Sequence, residues 1–584
     1  MFGKIVYMSN TTVHVERSGA ISTDIMNMHV VFTDKDTRIL GEVEDISEEI
    51  IKIRLLGEFT NDRFLGGVIR KPSMNSEIRL ITKEELPLIF GGHAKGNFLL
   101  GRSPLYDNYP IMGNVNDIFS GHSAILGNSG SGKSWGVARI LQNLFYDQNV
   151  FPGKSNILLI DAYGEYRSAF GRIHEVSPNY NFKYYTTDKT DTGGEKLRIP
   201  LWLLDVDDIA LLLQATNSSQ LLIIEKVLKL CYIFAMDNEV GNKYKNHLIA
   251  KAIMSILFSN ETASSKKNEV FNLLQNCNTN EFNMHSKVQG VGYVREFKDL
   301  FLINTNGSFS ESVLLNEYVN SFIDDALDSY EAPKRNKFNI IDLEKALNFA
   351  LISEGVLHNE DTYSDGILLK VKMHSLVIGP YKEFFDYEDD INTEGYILKM
   401  FSNGTAKTQI VNLSLEDIDD WFAKFITKMF VKMLFNYSRE LEPRASMPFH
   451  VFIEEAHRYV KNGEIDSNLL GYNIFERVSK EGRKYGMLIT LISQRPVDLS
   501  ENVISQISNF IIFKLNHPRD LEYIKQMLPN ISSDIVEKQK TLQPGTCVAF
   551  GTAFKIPLII KMDKPNPTPS SSSCDVFRNW YIGN

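Results

Sequence analysis

The sequence is poor in the features that mark several protein classes. Its four cysteines, Cys231, Cys277, Cys547 and Cys574, are scattered with no CxxC spacing, which argues against a zinc site and for the reducing cytoplasm. No stretch approaches the roughly 18 uninterrupted apolar residues of a membrane span. The opening "MFGKIVYMSNTTVHVER" has neither an apolar core nor a small-residue cleavage site, so neither a secretion signal nor a membrane partner is expected. Basic charge is not in excess. A net charge of −10 does not point to nucleic acid, and any such contact must come from a local basic surface. No internal repeat is visible. What is present is an ordinary globular composition, 43% hydrophobic and 23% charged, over 584 residues. That length exceeds what one hydrophobic core fills and implies about two to four domains.

Five β-branched runs, "GKIVYMS", "TVHVER", "MHVVFT", "RILGEVEDI" and "IIKIRLLGEF", are separated by turn residues over positions 1–95 and predict a small β-barrel. The Gly-, Pro- and Asn-containing stretch "GRSPLYDNYPIMGNVNDIFSG" is expected as a loop. From there to residue 204 strands alternate with helices, the pattern of a parallel α/β sheet. Helical periodicity opens at "DVDDIALLLQATNSSQ" and predicts a mostly helical insertion over 205–445, with "SNETASSKKNE" (259–269) as a polar loop within it. The α/β pattern returns over 446–562 with "FHVFI", "GMLITLIS" and "NFIIFKL". The Pro/Ser-rich tail 563–584 is expected to be extended.

"SAILGNSGSGKSWGVARILQNLF" carries Gly127, Asn128, Ser129, Gly130, Ser131, Gly132, Lys133 and Ser134 in the order GxxxxGK[ST], between a candidate strand and a candidate helix. That context gives the motif its chemistry. Glycines let successive backbone N–H groups face phosphate oxygens at a helix N-terminus, lysine reaches the β- and γ-phosphates, and the serine hydroxyl ligates Mg²⁺. Trp135 follows directly and completes the ATP-binding set.

A phosphate loop calls for a second strand ending in acid, expected beside it in the sheet. "HVFIEEAHRYV" supplies Glu454 for the magnesium shell and Glu455 for the attacking water, although acids in this place also suit a helix start. His457 has no His or Cys near it at ligand spacing and is expected to be a packing residue. "NILLIDAYGEYRSAF" offers Asp161 and Glu165. Either Asp161 caps the next turn, or a strand ending there lies beside the phosphate loop and its acids orient water or metal. Gln494, ending "GMLITLISQRP", is either a strand terminator or a γ-phosphate sensor. The basic helical segment "FERVSKEGRKYG" is either a solvated face or the source, at Arg483, of an arginine finger.

The order of "ILGNSGSGKS", "LLIDAYGEY", "HVFIEEAHRYV", "SKEGRKYG", "LISQRP" and "NHPRDLEYI", with the ending "LQPGTCVAFGTAFKIPLIIKMDKPNP", resembles the HerA family of hexameric P-loop ATPases in the HerA/FtsK group. The resemblance implies an α/β, RecA-like P-loop ATPase core with an N-terminal small β-barrel of the HAS type. It implies a homohexamer with ATP and Mg²⁺ at its interfaces and double-stranded DNA in a central channel. Lys133, Ser134, Glu454 and Glu455 become ATPase residues, supported by Asp161 and Glu165, with Gln494 as sensor and Arg483 as finger. Two departures stand out: Lys480 replaces the first arginine of the family's "REGRK", and Gly121 precedes His122 where some members carry arginine. The implied function is a DNA translocase or helicase working with a nuclease or a sirtuin-like effector, in bacterial anti-phage defence or DNA end processing. The alternative is an ATP-gated ring scaffold that activates an effector with little DNA movement.

Overall fold

A computed structural model describes residues 2–19, 24–35, 37–61, 63–147, 150, 152–329, 335–353, 360–461, 469–527, 538–570 and 576–580. The chain divides into two compact units. The first is Met1–Glu195, Ile397–Asn462 and Asn473–Asn584, and the second is Lys196–Tyr396 and Gly463–Tyr472.

The first unit holds two larger sheets and a small two-stranded one, Ser402–Asn403 with Ala406–Lys407. The N-terminal one has seven antiparallel strands, and its path runs Phe2–Met8, Thr12–Arg17, Ile50–Thr60, Arg38–Ile46, His29–Thr33 and Glu77–Leu80, with Arg63–Gly66 paired to Ile50–Thr60. Strand Ile50–Thr60 alternates buried and half-buried positions, and its Ile51, Ile53 and Leu55 join Val13, Val15 and Val43 in one apolar face, as a period of two demands. The five expected strands are all here. Among the described residues no ladder joins the first strand to the last, so the hydrogen bonding is that of a half-barrel sheet, consistent with the small β-barrel the sequence suggests.

The large sheet has twelve strands. In order they are Glu195–Lys196, Phe182–Thr186, Ile410–Ser414, Asn156–Asp161, Phe449–Ile453, Met487–Ser493, Ser123–Leu126, Asn509–Phe513, Thr546–Gly551, Leu558–Lys561, Asn97–Ser103 and Tyr109–Asn114. The pairings from Phe182–Thr186 through Asn509–Phe513 are parallel, and those beyond are antiparallel. The central parallel strands are buried along their whole length, which is why they read as unbroken apolar runs.

Four expectations change here. Strand Met487–Ser493 lies between the phosphate-loop strand and the glutamate strand, so those two are not neighbours, and the Asp161 strand is one place further out. In-sheet adjacency cannot be read from segments separated by hundreds of residues. The stretch "GRSPLYDNYPIMGNVNDIFSG" is not a loop: Tyr109–Asn114 pairs with Asn97–Ser103 and a short helix, Val115–Phe119, follows. Its glycines and asparagines sit at a bulged hairpin and a helix cap. The expected insertion also reaches too far. Strand Ile410–Ser414 pairs within the large sheet, and helix Asp420–Glu440 belongs to the same unit. A five-residue strand between helical segments leaves little periodic signal.

The second unit is mostly helical. Its longer helices are Ser218–Phe234, Glu239–Leu257, Ala263–Asn276, Ile340–Ser353 and Glu360–Ile378, with a small hairpin, Lys287–Gly290 and Tyr293–Glu296. Asp205 and Asp208 form a reciprocal capping box at the start of helix Val206–Leu212, the arrangement that satisfies two orphan N–H groups at once. The polar stretch expected as a loop is the fourth change: from Ala263 it is helix, capped by Thr262, which accepts from the Ser265 N–H. Its serines and lysines precede the buried Val270, Leu273 and Leu274 of the same helix. Among the described residues no helix is long and apolar enough to cross a membrane.

Candidate active site

The phosphate loop is held from both sides. The Gly127 N–H donates to the Ser493 carbonyl (3.2 Å) and the Asn128 N–H to the Lys514 carbonyl (2.9 Å), so the two strands flanking Ser123–Leu126 set its entry. Gly127 and Gly132 adopt φ of 154° and 105°. A Cβ at Gly127 would meet the Phe513 Cβ at 2.7 Å, and one at Gly132 the Gly545 backbone at 3.0 Å; glycine is required there by both conformation and space. The Ser131 hydroxyl and the Lys133 ammonium both donate to the Asn128 carbonyl, at 2.6 and 3.1 Å. Helix Lys133–Tyr146 starts at the lysine, which places the loop at a helix N-terminus, where anions bind.

The loop borders a cavity of ≈ 670 Å³ lined by Ser129, Gly130, Gly132, Lys133, Ser134, Trp135, Glu165, Glu454, Glu455 and Gln494, together with Tyr163, Pro544, Gly545 and Met562–Lys564. Residues far apart in sequence, and expected to act together, thus converge. Glu454 is buried and accepts from the Tyr166 hydroxyl at 3.3 Å. Burial, with Asp161 and Glu165 close by, drives its carboxyl well above the usual carboxylate range. Glu455 follows in the left-handed region, φ 47°, and the Gln494 amide donates to its Oε1 at 3.1 Å. Burial raises its proton affinity too, opposed by Lys133 and that amide. Glu165 is raised by burial, against a hydrogen bond from the Ser134 side chain. Lys133 is lowered by burial, against the attraction of Glu455, Glu454 and Glu165. One oxygen each of Glu165, Glu454 and Glu455 is buried with no hydrogen-bond partner among the described residues. Unpaired buried oxygens are costly, and here the three residues that carry them line one cavity with Lys133.

Asp161 does something else. Its Oδ1 accepts from the Tyr163 and Glu165 N–H groups (3.3 and 3.1 Å), and its Oδ2 from the Tyr166 N–H and the Asn412 amide (2.9 and 3.0 Å). Of the two readings open for it, these bonds are those of a turn cap. Gly127, Asn128 and Ser131 shape the loop without lining the cavity, and Arg483 is exposed and outside it.

Sequence reasoning leaves out several contributors. The tail is pinned over the site: Lys564 lies 5.2 Å above the Trp135 ring, Gln142 bonds the Asn566 N–H and the Pro567 carbonyl, and the Ser570 N–H donates to the Glu165 carbonyl (2.9 Å). Pro/Ser composition signals only an extended chain, not where it docks. Asn412 lies in no motif, and nothing in the motifs around Tyr166 and Ser493 singles those two residues out. His457, expected as packing, lies 3.2 Å from both Glu455 Oε2 and Ser493 Oγ, and burial lowers it to about 4, so the ring is neutral near pH 7.

A glycine-rich loop between a parallel strand and its helix, with buried acids from other strand ends around the loop lysine, defines the class: a P-loop nucleotide-binding α/β protein. Residues 98–430, more than half of the chain, match the family described as "Helicase HerA, central domain", and the chain belongs to that family. Among its relatives is the "DNA double-strand break repair helicase HerA" of Sulfurisphaera tokodaii, 32% identical over 210 residues. That match covers 35% of this chain and only 41% of the relative. The protein of the same description from Pyrococcus furiosus is 23% identical over 90% of this chain and 78% of its own length. The "Probable DNA double-strand break repair helicase HerA" of Methanocaldococcus jannaschii is 22% identical over 94% and 93%. Among solved structures, VirB4 of Thermoanaerobacter pseudethanolicus matches with a TM-score of 0.46 at 14% identity, over 81% of this chain and 97% of that one.

Proposed function

We propose that this chain is an ATP-hydrolysing DNA translocase. The observation that carries the reading is that Glu165, Glu454 and Glu455, each with a buried carboxyl oxygen unpaired among the described residues, line one cavity with Lys133 and the phosphate loop. The loop N–H groups and Lys133 bind the β- and γ-phosphates, and Glu455, oriented by Gln494, accepts a hydrogen bond from the attacking water and takes its proton. Ser134 and Glu454 are hard oxygen donors suited to Mg²⁺, which when bound would neutralise phosphate charge. The orphaned Glu454 oxygen fits that role. Among the described residues no group of three or more His, Cys, Asp and Glu side chains could hold a metal by itself. Mg²⁺ commonly sits on one or two protein oxygens plus phosphate and water. Asp161 and Glu165 support the site, the first through the turn it caps. Trp135 offers a partly exposed ring at the cavity edge for the base.

Family membership supports a ring of six subunits with double-stranded DNA in its channel. Arg483, exposed and away from its own cavity, suits a finger that acts on a neighbouring copy's nucleotide. The effector is a nuclease or a sirtuin-like protein, in anti-phage defence or DNA end processing. The exposed Val6, Tyr7 and Leu65 of the N-terminal sheet, with Ile69 in the bend that follows Arg63–Gly66, favour that sheet as the docking surface. The test is the ATPase rate of the full chain with partner, with and without long duplex DNA. Stimulation by DNA is expected. Hydrolysis indifferent to DNA would sink the translocase and leave the ring scaffold.

A further inference from the structure

We infer that His457 and Ser493 form a positioning pair that links the phosphate loop to Glu455. The inference rests on the reading of Glu455 as the water-orienting carboxylate. Strand Met487–Ser493 separates the phosphate-loop strand from the glutamate strand, and its last residues touch both. The Ser493 carbonyl accepts from the Gly127 N–H, the first of the loop, at 3.2 Å. The Ser493 hydroxyl, fully buried, bonds His457 Nδ1 at 3.2 Å and accepts from the Arg495 N–H at 3.0 Å. That same Nδ1 lies 3.2 Å from Glu455 Oε2. Gln494, the next residue along the chain, holds Oε1. One strand end therefore addresses the carboxylate on both sides, directly through Gln494 and through the imidazole from Ser493.

The contact between His457 and Oε2 is close without being a hydrogen bond, since Oε2 has no hydrogen-bond partner among the described residues. The ring thus limits where the carboxylate can swing and leaves one oxygen for water. Glu455 needs such support. It sits in the left-handed region, which a β-carbon disfavours and which persists only where surroundings over-determine it. Small displacements of a positioned group lower rates steeply. Gly127, Ser493 and His457 thus form one continuous path of contacts from the first N–H of the loop to Glu455.

The test uses the full chain and its ATPase under single-turnover conditions, with binding of a non-hydrolysable ATP analogue measured separately. His457→Leu is expected to lower the hydrolysis rate about 10- to 50-fold with analogue affinity within about twofold of wild type. Ser493→Ala should act in the same direction. The discriminating arm is a double-mutant cycle: in a Glu455→Gln background, His457→Leu should cost nothing further. A histidine that only packs would add its loss to that of Glu455→Gln, or leave the rate alone, and either result overturns the proposal. Should His457→Leu fold poorly, His457→Asn keeps a polar group at the Nδ1 position and is expected to retain part of the rate. If Glu455→Gln itself leaves hydrolysis intact, the ATPase assignment fails first. If Glu455→Gln is dead while both His457 variants turn over normally, only the positioning role is lost.

Discussion

Strands Asn156–Asp161 and Phe449–Ile453 lie side by side, parallel and in register, and both end in acid. At the first, every oxygen of Asp161 is used: four N–H donors from Tyr163, Glu165, Tyr166 and Asn412 converge on it. At the second, Glu454 and Glu455 each keep an oxygen buried and unpaired among the described residues. The residue types are nearly the same and both ends are buried. What separates them is the supply of donors: the Asp161 carboxylate is used up by the turn, whereas each glutamate keeps an oxygen without a partner among the described residues.

The comparison breaks most visibly at Glu455. Glu455→Gln removes the proton acceptor while keeping shape, and ATP turnover should fall by about 10²–10³-fold, roughly 3–4 kcal/mol of barrier, with nucleotide binding kept. Turnover within a few-fold of wild type would remove the functional half of the contrast. Next comes Asp161→Ala, which orphans several buried donors. Denaturant unfolding should show a loss of about 2–4 kcal/mol, and a neutral result would mean that the turn closes without its cap.

The starts of the strands sharpen the contrast from the other direction. His122, just before the phosphate-loop strand, and His450, in the glutamate strand, are lowered by burial to about 4 and about 3. A histidine held neutral in the folded state contributes no pH dependence above its unfolded value near 6.5. As pH falls from 6.5 towards 4 the unfolded chain takes up the protons, and stability declines by at most about 1.4 kcal/mol per pH unit for each. Unfolding midpoints at pH 7.5 and 5.0 should therefore differ, and His450→Gln should flatten part of that slope. The smallest effect belongs to Tyr166→Phe, which removes the hydroxyl bonded to Glu454. It should cost about 0.5–1.5 kcal/mol by thermal or denaturant unfolding, the net worth of one long hydrogen bond.

Legibility follows locality. The phosphate loop could be read because its chemistry is eight consecutive residues with a strand before and a helix after. The helix from Ile474 to its glycine cap at Gly486 was legible for the same reason. Thr262 misled, because a threonine followed by serines and lysines suits a loop as well as a capped helix with a polar face. Strand Ile410–Ser414 was hidden by its short length between helices. The contact between His457 and Ser493 was not legible, because the two lie 36 positions apart and nothing in either segment announces the other.

By itself the sequence determined the phosphate-loop motif and its companions: glycines that permit a tight turn, a lysine and a serine at its end, and paired glutamates at an apolar strand's end. These are properties of backbone conformation and side-chain type, set within a few bonds of each residue. Only the tertiary structure decided which acids have both oxygens paired and which keep one unpaired among the described residues. It did so by placing Asn412 and the 163–166 turn on Asp161 and by inserting Met487–Ser493 between the loop and the glutamates. Strand order and donor supply depend on contacts between segments up to several hundred residues apart, and local pattern carries no record of them.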